Sequence, residues 1–288
     1  MRISEIYDQK RFIMSAEVFP PKKYGEFESL IRTIRDITPL RPDFVSVTYG
    51  AAGKTKETTA DALSVVKDAF GLECVAHLTC VNMTVESLEN IIAVYKRKNV
   101  ENILVLRGDV AEDSAFYDFK HANELAAYIA ANHPEFDLLG ACYPEGHPEA
   151  ISFDHDVDML KQKIDSGVTH LVSQLFFDNS HFYNLLDAMQ KKGITASVEA
   201  GIMPVVNKKS IQRLIKMCGT SIPPEFAKIF AKYDDDDFRR AGIEYTKKQI
   251  SDLISNGVRA FHIYTMNNAD VAAEIYSTFA DVRREFNE

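Results

Sequence analysis

The chain has 288 residues, 46% hydrophobic and 26% charged, a composition typical of a folded globular protein rather than a disordered or fibrous one. A formal net charge of −9 disfavours a nucleic-acid partner, because phosphate binding depends on clustered lysine and arginine. No stretch reaches the roughly 18 consecutive apolar residues of a membrane-spanning helix, and the N-terminus MRISEIYDQKRF lacks the apolar segment of a signal peptide. We therefore expect a cytoplasmic protein without a membrane partner.

Short apolar runs recur along the whole chain and predict strands. In chain order they are FIMSAEVF, FVSVTYG, CVAHLTC, ILVLRGD, LLGACYP, LVSQLFFD, ASVEAGIMP and FHIYTMN, with strands near residues 12, 43, 73, 102, 136, 170, 194 and 258. Helical patterns, with apolar residues three and four apart, lie between them at 27–37, 85–98 and 154–167. This alternation predicts an α/β protein with one domain over residues 1–288, a (β/α)8 TIM barrel.

Helix ends and one long interval refine this prediction. Thr84 and Asp154 fit helix N-caps, and the interval before the last run leaves room for roughly two or three extra helices. That interval contains the acidic run Asp234 to Asp237. Consecutive acids before a helix are more often solvated and stabilised by the positive helix end, so we predict no metal site there. An open doubly wound sheet is the alternative fold, disfavoured because GxGxxG and GxxxxGK[ST] are both absent.

Several residues able to do chemistry stand where the predicted strands end, which is the active-site face of such barrels. Glu17 follows FIMSA, and apolar surroundings would favour its protonated form, so it is a candidate general acid or a strand-end salt bridge. Arg107, Gly108 and Asp109 close the fourth strand and could contact a ligand or form an internal Arg–Asp pair. His77, within AHLTC, is either a ligand contact or a hydrogen-bonded core histidine.

Signatures of other catalytic classes are absent. The chain has no HExxH, no GxSxG and no CxxC pair among its four cysteines. A candidate acid without a nucleophile–base pair favours a bound cofactor that performs the difficult chemistry.

The segments AEVFPPK, FVSVTYGA, AHLTC, LRGD, YPEGHPEA, SQLFFD, AGIMPV and FHIYTMN resemble, in the same order, the methylenetetrahydrofolate reductase family in its short bacterial type. The resemblance spans nearly the whole chain. It implies a homo-oligomeric enzyme that uses FAD to reduce 5,10-methylenetetrahydrofolate to 5-methyltetrahydrofolate by ping-pong turnover. NADH or NADPH would be the reductant, and the short bacterial type favours NADH.

The resemblance also implies catalytic and cofactor-binding residues. Glu17 would protonate N5 of the folate, and Asp109 would tune the flavin and stabilise cationic folate species. The FAD-binding positions would be Tyr49, Ala51, His77, Arg107, Gly108, Asp109, Ala122, Tyr143, His147, Ala150, Asp156 and Lys163.

Substrate contacts follow from the same resemblance. Thr48, Asp109 and Gln174 would contact the group that lies over the flavin, nicotinamide in one half-reaction and pterin in the other. Ser210 and Asn268 fall where folate-binding side chains occur, although relatives can carry arginine where this chain has Asn268. Two other functions stay open: a non-redox pterin-binding or methyl-transferring barrel, and a partner subunit with partly lost activity.

Overall fold

The strands of the protein form one closed parallel barrel. The structure, a computed structural model, describes residues 1–21, 27–49, 56–109 and 117–288, so the predicted cofactor residue Ala51 lies outside the described residues. Each strand pairs with the next, and the first closes on the last through Ile13 and Ala260. The strands are β1 (Ile13–Val18), β2 (Val45–Val47), β3 (Cys74–Thr79), β4 (Asn102–Leu106), β5 (Asp137–Cys142), β6 (His170–Ser173), β7 (Ser197–Ile202) and β8 (Ala260–Tyr264).

Helices connect the strands and surround the barrel. Those in the described residues are α1 (Ile3–Gln9), α2 (Phe27–Ile37), α3 (Lys56–Ser64), α4 (Val85–Arg97), α5 (Ala122–Asn132), α6 (Phe153–Asp165), α7 (Asn179–Lys191), α8 (Lys208–Cys218), α9 (Pro224–Lys232), α10 (Asp235–Ser255), α11 (Ala269–Thr278) and α12 (Ala280–Asn287). A 3₁₀ turn follows α2, and a π-helical turn extends α3. None of the described helices is both long and apolar enough to span a bilayer.

The predicted (β/α)8 barrel is confirmed, and the open doubly wound sheet is wrong because β1 pairs with β8. The strands begin within about three residues of their predicted positions, since buried parallel strands are near-continuous apolar runs. Three helices, α8, α9 and α10, lie before the last strand, two more than the single helix of an ordinary βα unit.

One predicted cap is confirmed and one is wrong. The Thr84 hydroxyl accepts a hydrogen bond from the Ser87 amide at 3.2 Å, as an N-cap does. The cap of α6 is Ser152, whose hydroxyl accepts from the His155 amide, whereas Asp154 lies in the first helical turn. A carboxylate is favourable there too, because it faces the positive end of the helix dipole.

The acidic run lies at the start of α10 as predicted. Asp235, Asp236 and Asp237 occupy its first turn, and Asp234 pairs with Lys208 at 2.8 Å. Across the part of the chain that the structure describes, no group of His, Cys, Asp and Glu side chains could hold a metal ion.

Two apolar layers hold the barrel together. Outward-facing strand residues pack against the helices, and inward-facing ones fill the N-terminal half of the barrel interior. There α1 covers the barrel end, because Ile3 and Ile6 pack in one cluster with inward residues of several strands. These are Ile13, Phe44, Val75, Leu104, Leu139, Val172 and Ala260.

Candidate active site

A cavity of about 380 Å³ opens at the carboxyl ends of the strands. Inward side chains recur every two residues along a strand. The side chains two or four positions after the inward residues of the apolar interior cluster therefore form the cavity wall. Ten predicted site residues line it: Glu17, Thr48, Tyr49, His77, Arg107, Gly108, Asp109, Tyr143, His147 and Gln174. The prediction that strand ends share one site is thereby confirmed in its geometry.

The cavity wall also contains Leu214, which falls where folate-binding side chains occur in the family, and residues that the sequence did not single out as contacts. Most of the latter are apolar, and they are Phe19, Thr79, Val81, Leu104, Leu106, Ala141, Val172, Leu175, Met203, Met217, Cys218, Tyr264 and Met266. The alternation of two along each strand would have indicated Leu106, Ala141 and Tyr264. Met217 and Cys218 follow Leu214 on α8 by three and four residues, so all three share one face of this helix.

Four predicted cofactor residues, Ala122, Ala150, Asp156 and Lys163, are not among the residues of the described cavity wall. The Asp156 carboxylate accepts from the His147 amide at 3.0 Å, and the Ala150 amide donates to the His147 carbonyl at 2.8 Å. The Lys163 ammonium donates to the carbonyl of Ala141 at 2.6 Å, and burial lowers the pKa of Lys163. Ala122 begins α5 as a buried residue.

Two predicted folate-binding residues, Ser210 and Asn268, are not part of the described cavity wall. Asn268 is the N-cap of α11, where its side-chain oxygen accepts from the Val271 amide at 3.2 Å. Ser210 lies exposed in the first turn of α8, and its amide donates to the Asn207 side chain at 2.9 Å. Both side chains lie at the start of a helix. The residues of these two segments that line the cavity are Leu214, four residues after Ser210, and Met266, two residues before Asn268.

Glu17 lies beside two histidines rather than among apolar groups alone. Its side chain is buried, and Oε2 is 3.6 Å from His77 Nε2 and 3.7 Å from His262 Nε2. Burial lowers the pKa of His77 to about 4, against the opposing charge of Glu17. His77 is therefore neutral at pH 7.

His262 continues this polar arrangement into the barrel. Its Nδ1 lies 2.6 Å from the Ser15 hydroxyl, which donates to Glu199 at 2.5 Å, and its Nε2 lies 3.2 Å from the Ser46 hydroxyl. Burial opposes a charge on this imidazole, but hydrogen bonds and charges from Glu17 and Glu199 outweigh it and raise its pKa to about 9. His262 is therefore positively charged at neutral pH.

Arg107 pairs with Glu149 rather than with Asp109. Both terminal guanidinium nitrogens donate to the Glu149 carboxylate, and this contact raises the pKa of Arg107. Gly108 follows with a φ of +83°, and a Cβ there would lie 3.0 Å from the Thr79 Cβ. The backbone at the end of β4 therefore approaches the cavity as only glycine allows.

Three buried polar atoms in the cavity lining have no hydrogen-bond partner within the described residues: Tyr49 Oη, His77 Nε2 and Arg107 Nε. Buried polar atoms are normally paired, so their grouping at one cavity indicates a ligand with polar edges. The edge of Tyr143 also meets the His147 ring at 4.7 Å between centroids.

The protein has the architecture of a (β/α)8-barrel enzyme. A buried carboxyl group and unpaired polar atoms lie at the carboxyl ends of its strands, where such enzymes have their active sites. Residues 2–280 match the family model described as Methylenetetrahydrofolate reductase. The chain is 34% identical over 272 residues to the 5,10-methylenetetrahydrofolate reductase of Escherichia coli strain K12, covering 94% of this chain and 91% of the relative. The protein of that name from Pectobacterium carotovorum subsp. carotovorum is similar to the same extent.

This chain therefore belongs to the methylenetetrahydrofolate reductase family, which makes it an oxidoreductase of folate and one-carbon metabolism. Methylenetetrahydrofolate reductase (NADH) 1 of Arabidopsis thaliana is 29% identical over 283 residues, and that match covers 48% of the plant protein.

Solved structures support the same fold. An uncharacterized protein from Clostridium thermocellum that binds two copies of 5-methyl-5,6,7,8-tetrahydrofolic acid superposes with a TM-score of 0.67 at 12% identity, over 99% of both chains. Oxaloacetate acetylhydrolase superposes with a TM-score of 0.55 at 11% identity, over 98% of this chain and 86% of that one. At these identities the likeness concerns the fold.

Proposed function

We propose that this protein reduces 5,10-methylenetetrahydrofolate to 5-methyltetrahydrofolate with FAD as cofactor and NADH, or less favourably NADPH, as reductant. The observation that carries the proposal is a buried carboxyl, Glu17, in a strand-end cavity of a barrel that belongs to this family. The proposal includes a single catalytic domain, a cytoplasmic location and a homo-oligomer.

The cavity fits a flavin in its polar and apolar composition. When bound, FAD supplies the carrier of the two electrons that a nicotinamide gives up and the folate takes. Tyr49, His77 and Arg107 would satisfy their unpaired atoms on it, and Gly108 would let the backbone approach it closely. Tyr143 and His147 would form one wall of the binding site.

Glu17 would donate the proton that opens the folate ring. The methyl group of the product is on N5, so the ring bond that breaks joins the methylene carbon to N10, and N10 receives the proton instead of the N5 expected from the resemblance. The O–H bond of Glu17 would break as an N–H bond forms at N10, and the electron pair of the O–H bond would stay on the carboxylate. Opening of the five-membered ring leaves an iminium ion that accepts hydride. Asp109, exposed at the cavity, would stabilise this positive charge.

Thr48 and Gln174 would contact whichever substrate occupies the cavity. The Gln174 side-chain oxygen accepts from the Leu175 amide at 2.8 Å, which fixes the plane of the amide group. A single face that serves nicotinamide and pterin in turn implies ping-pong turnover, in which the first product leaves before the second substrate binds.

Two assays on the purified protein test this proposal. It should show flavin absorbance or acquire it on incubation with FAD, and should oxidise NADH with menadione as acceptor. It should then oxidise NADH with methylenetetrahydrofolate, with parallel double-reciprocal lines. A protein that takes up no flavin, or reduces menadione but never the folate, would contradict the proposal.

A non-redox folate-binding barrel is the second candidate. The observation that favours it is the fold shared with the Clostridium thermocellum protein that binds 5-methyl-5,6,7,8-tetrahydrofolic acid. A protein that binds methyltetrahydrofolate in calorimetry but takes up no flavin would support this function, or that of a partner subunit.

A further inference from the structure

Two buried carboxyl groups share one buried histidine inside the barrel. His262 Nε2 lies 3.7 Å from Glu17 Oε2, and His262 Nδ1 lies 3.7 Å from Glu199 Oε2. Glu199 and His262 are fully buried, and Glu17 is 7% exposed. We refer to these three residues as the buried triad.

Glu199 depends on His262 for charge compensation. Its other polar contacts are neutral: the Ser15 hydroxyl at 2.5 Å and the Tyr7 hydroxyl at 3.1 Å. Over the described residues, neither lysine nor arginine forms an ion pair with it, whereas Asp43 at the same barrel end pairs with Lys10 and Arg283. A buried carboxylate without a cation is strongly destabilised, so Glu199 requires the imidazolium of His262.

The other ionisable groups that face the triad supply no second cation at neutral pH. His77 faces Glu17 and His262 from β3, and His170 faces Glu199 from β6; burial lowers the pKa of both histidines. Three tyrosines also face the carboxyl groups, and burial raises their pKa values: Tyr7 and Tyr276 near Glu199, and Tyr264 near Glu17.

The charge balance of the triad therefore depends on Glu17. With one imidazolium and two carboxylates the triad carries a net negative charge in a closed interior, and with a proton on Glu17 it is neutral. Like charges at close range disfavour simultaneous ionisation of two carboxyl groups. Glu17 lines the cavity whereas Glu199 is fully buried away from it, so Glu17 is the carboxyl group of the triad that a ligand in the cavity can reach.

We propose that Glu199 is a positioning residue that keeps a proton on Glu17, because it engages the His262 imidazolium that would otherwise pair with the Glu17 carboxylate. This inference rests on the proposed function, because it concerns the acid that protonates the folate.

The first test is Glu199→Gln, which keeps the volume of the side chain and one of its two accepting oxygens but removes its charge. The imidazolium then pairs with Glu17 alone and stabilises its carboxylate. We expect the folate half-reaction, measured as flavin reoxidation by methylenetetrahydrofolate in stopped flow, to lose activity at a pH about one unit lower or more. At pH 7 its rate should fall by about tenfold or more, while flavin reduction by NADH stays unchanged.

Asp137→Asn is the matched control. Asp137 is a buried carboxylate in the same barrel, bound to the Ser4 amide and the Thr169 hydroxyl, with no contact to His77 or His262. Its pH profile should stay that of the wild type. A folded Glu199→Gln protein with the wild-type profile would overturn the inference, as would an equal loss in both half-reactions.

The second variant, His262→Asn, should act in the opposite direction. It leaves two neighbouring carboxyl groups without a cation, so Glu17 should keep its proton to higher pH. The pH at which the folate half-reaction loses activity should therefore rise. A downward shift would contradict the charge balance proposed for the triad.

A measurement on the unmodified protein tests the same charge balance independently of folding in either variant. Nitrogen-15 NMR of labelled histidine should show His262 as an imidazolium at pH 7 to 8, because the fully buried carboxylate of Glu199 lies beside it and requires a cation. A neutral ring at pH 7 overturns the inference. A wild-type protein without any folate half-reaction refutes the proposed function instead.

Discussion

The inward-facing residues on the two sides of the barrel differ in chemistry. On the side of β1, β2, β7 and β8 they are polar and hydrogen-bonded to one another: Ser15, Ser46, Glu199 and His262. On the side of β4, β5 and β6 the corresponding residues farther along the strands are apolar, as Leu106, Ala141 and Val172 are, and polar residues stand only at the strand starts: Asn102, Asp137 and His170. His77 on β3 stands between them and contacts Glu17. Under the proposed function, the polar side would surround the acid Glu17, and the apolar side would pack against the rings of the flavin and the folate.

Removal of the acid is the largest expected effect on the polar side. Glu17→Gln should lower the rate of the folate half-reaction by about 10²- to 10⁴-fold, because a positioned general acid contributes that much. Flavin reduction by NADH should continue at the wild-type rate, since that step requires no proton from Glu17. Single-turnover kinetics of each half-reaction measures both, and an equal loss in the two would assign Glu17 to binding instead.

Truncation on the apolar side should affect stability rather than proton transfer. Leu139 is fully buried in the interior cluster and does not line the cavity. Leu139→Ala should lower the free energy of unfolding by about 2–5 kcal/mol, measured by urea denaturation with CD detection. The folded fraction should keep the wild-type pH profile. A displaced profile would mean that the two sides of the barrel are not separate.

Gly108 tests the approach of the backbone to the cofactor at the boundary of the apolar wall. Gly108→Ala places a Cβ 3.0 Å from Thr79 and imposes a φ of +83° on alanine, at a cost of about 1–2 kcal/mol. The control Gly193→Ala has a φ of +70° but open space around its Cβ. Both should be destabilised in thermal unfolding, and weaker FAD binding should appear in Gly108→Ala alone. Equal FAD affinity in the two variants would remove Gly108 from the binding site.

The smallest effect is expected where an exposed carboxylate forms an ion pair with Arg107, which is proposed to bind the cofactor. Glu149 is two-thirds exposed and holds Arg107 at the cavity. Glu149→Gln should release the guanidinium to an anionic ligand and tighten FAD binding by up to about fivefold in fluorescence titration, because exposed ion pairs are weak. Glu135→Gln breaks an exposed pair with Lys96 elsewhere on the surface and should leave affinity unchanged. Weaker binding in Glu149→Gln would show that Glu149 supports the site.

Strand positions and most of the cavity were predictable, because apolar runs and the period of two are local properties of the sequence. The partners of each polar side chain were not. Glu17 meets His262 because barrel closure places β1 beside β8, so a contact between residues far apart in sequence decides the surroundings of the acid. Asn268 shows the same limit on a shorter scale: positive φ angles at Met266 and Asn267 turn the chain, and Asn268 becomes a helix cap.

The closed N-terminal end of the barrel has a consequence for isotope exchange. Because α1 covers that end with Ile3 and Ile6, the protons of the buried triad reach bulk water through the cavity at the other end. A ligand bound in the cavity would block this route. The triad could then exchange no proton with bulk water until the ligand leaves. If enzyme in ordinary water is mixed rapidly with methylenetetrahydrofolate in deuterated water, Glu17 should therefore donate a proton and not a deuteron in the first turnover.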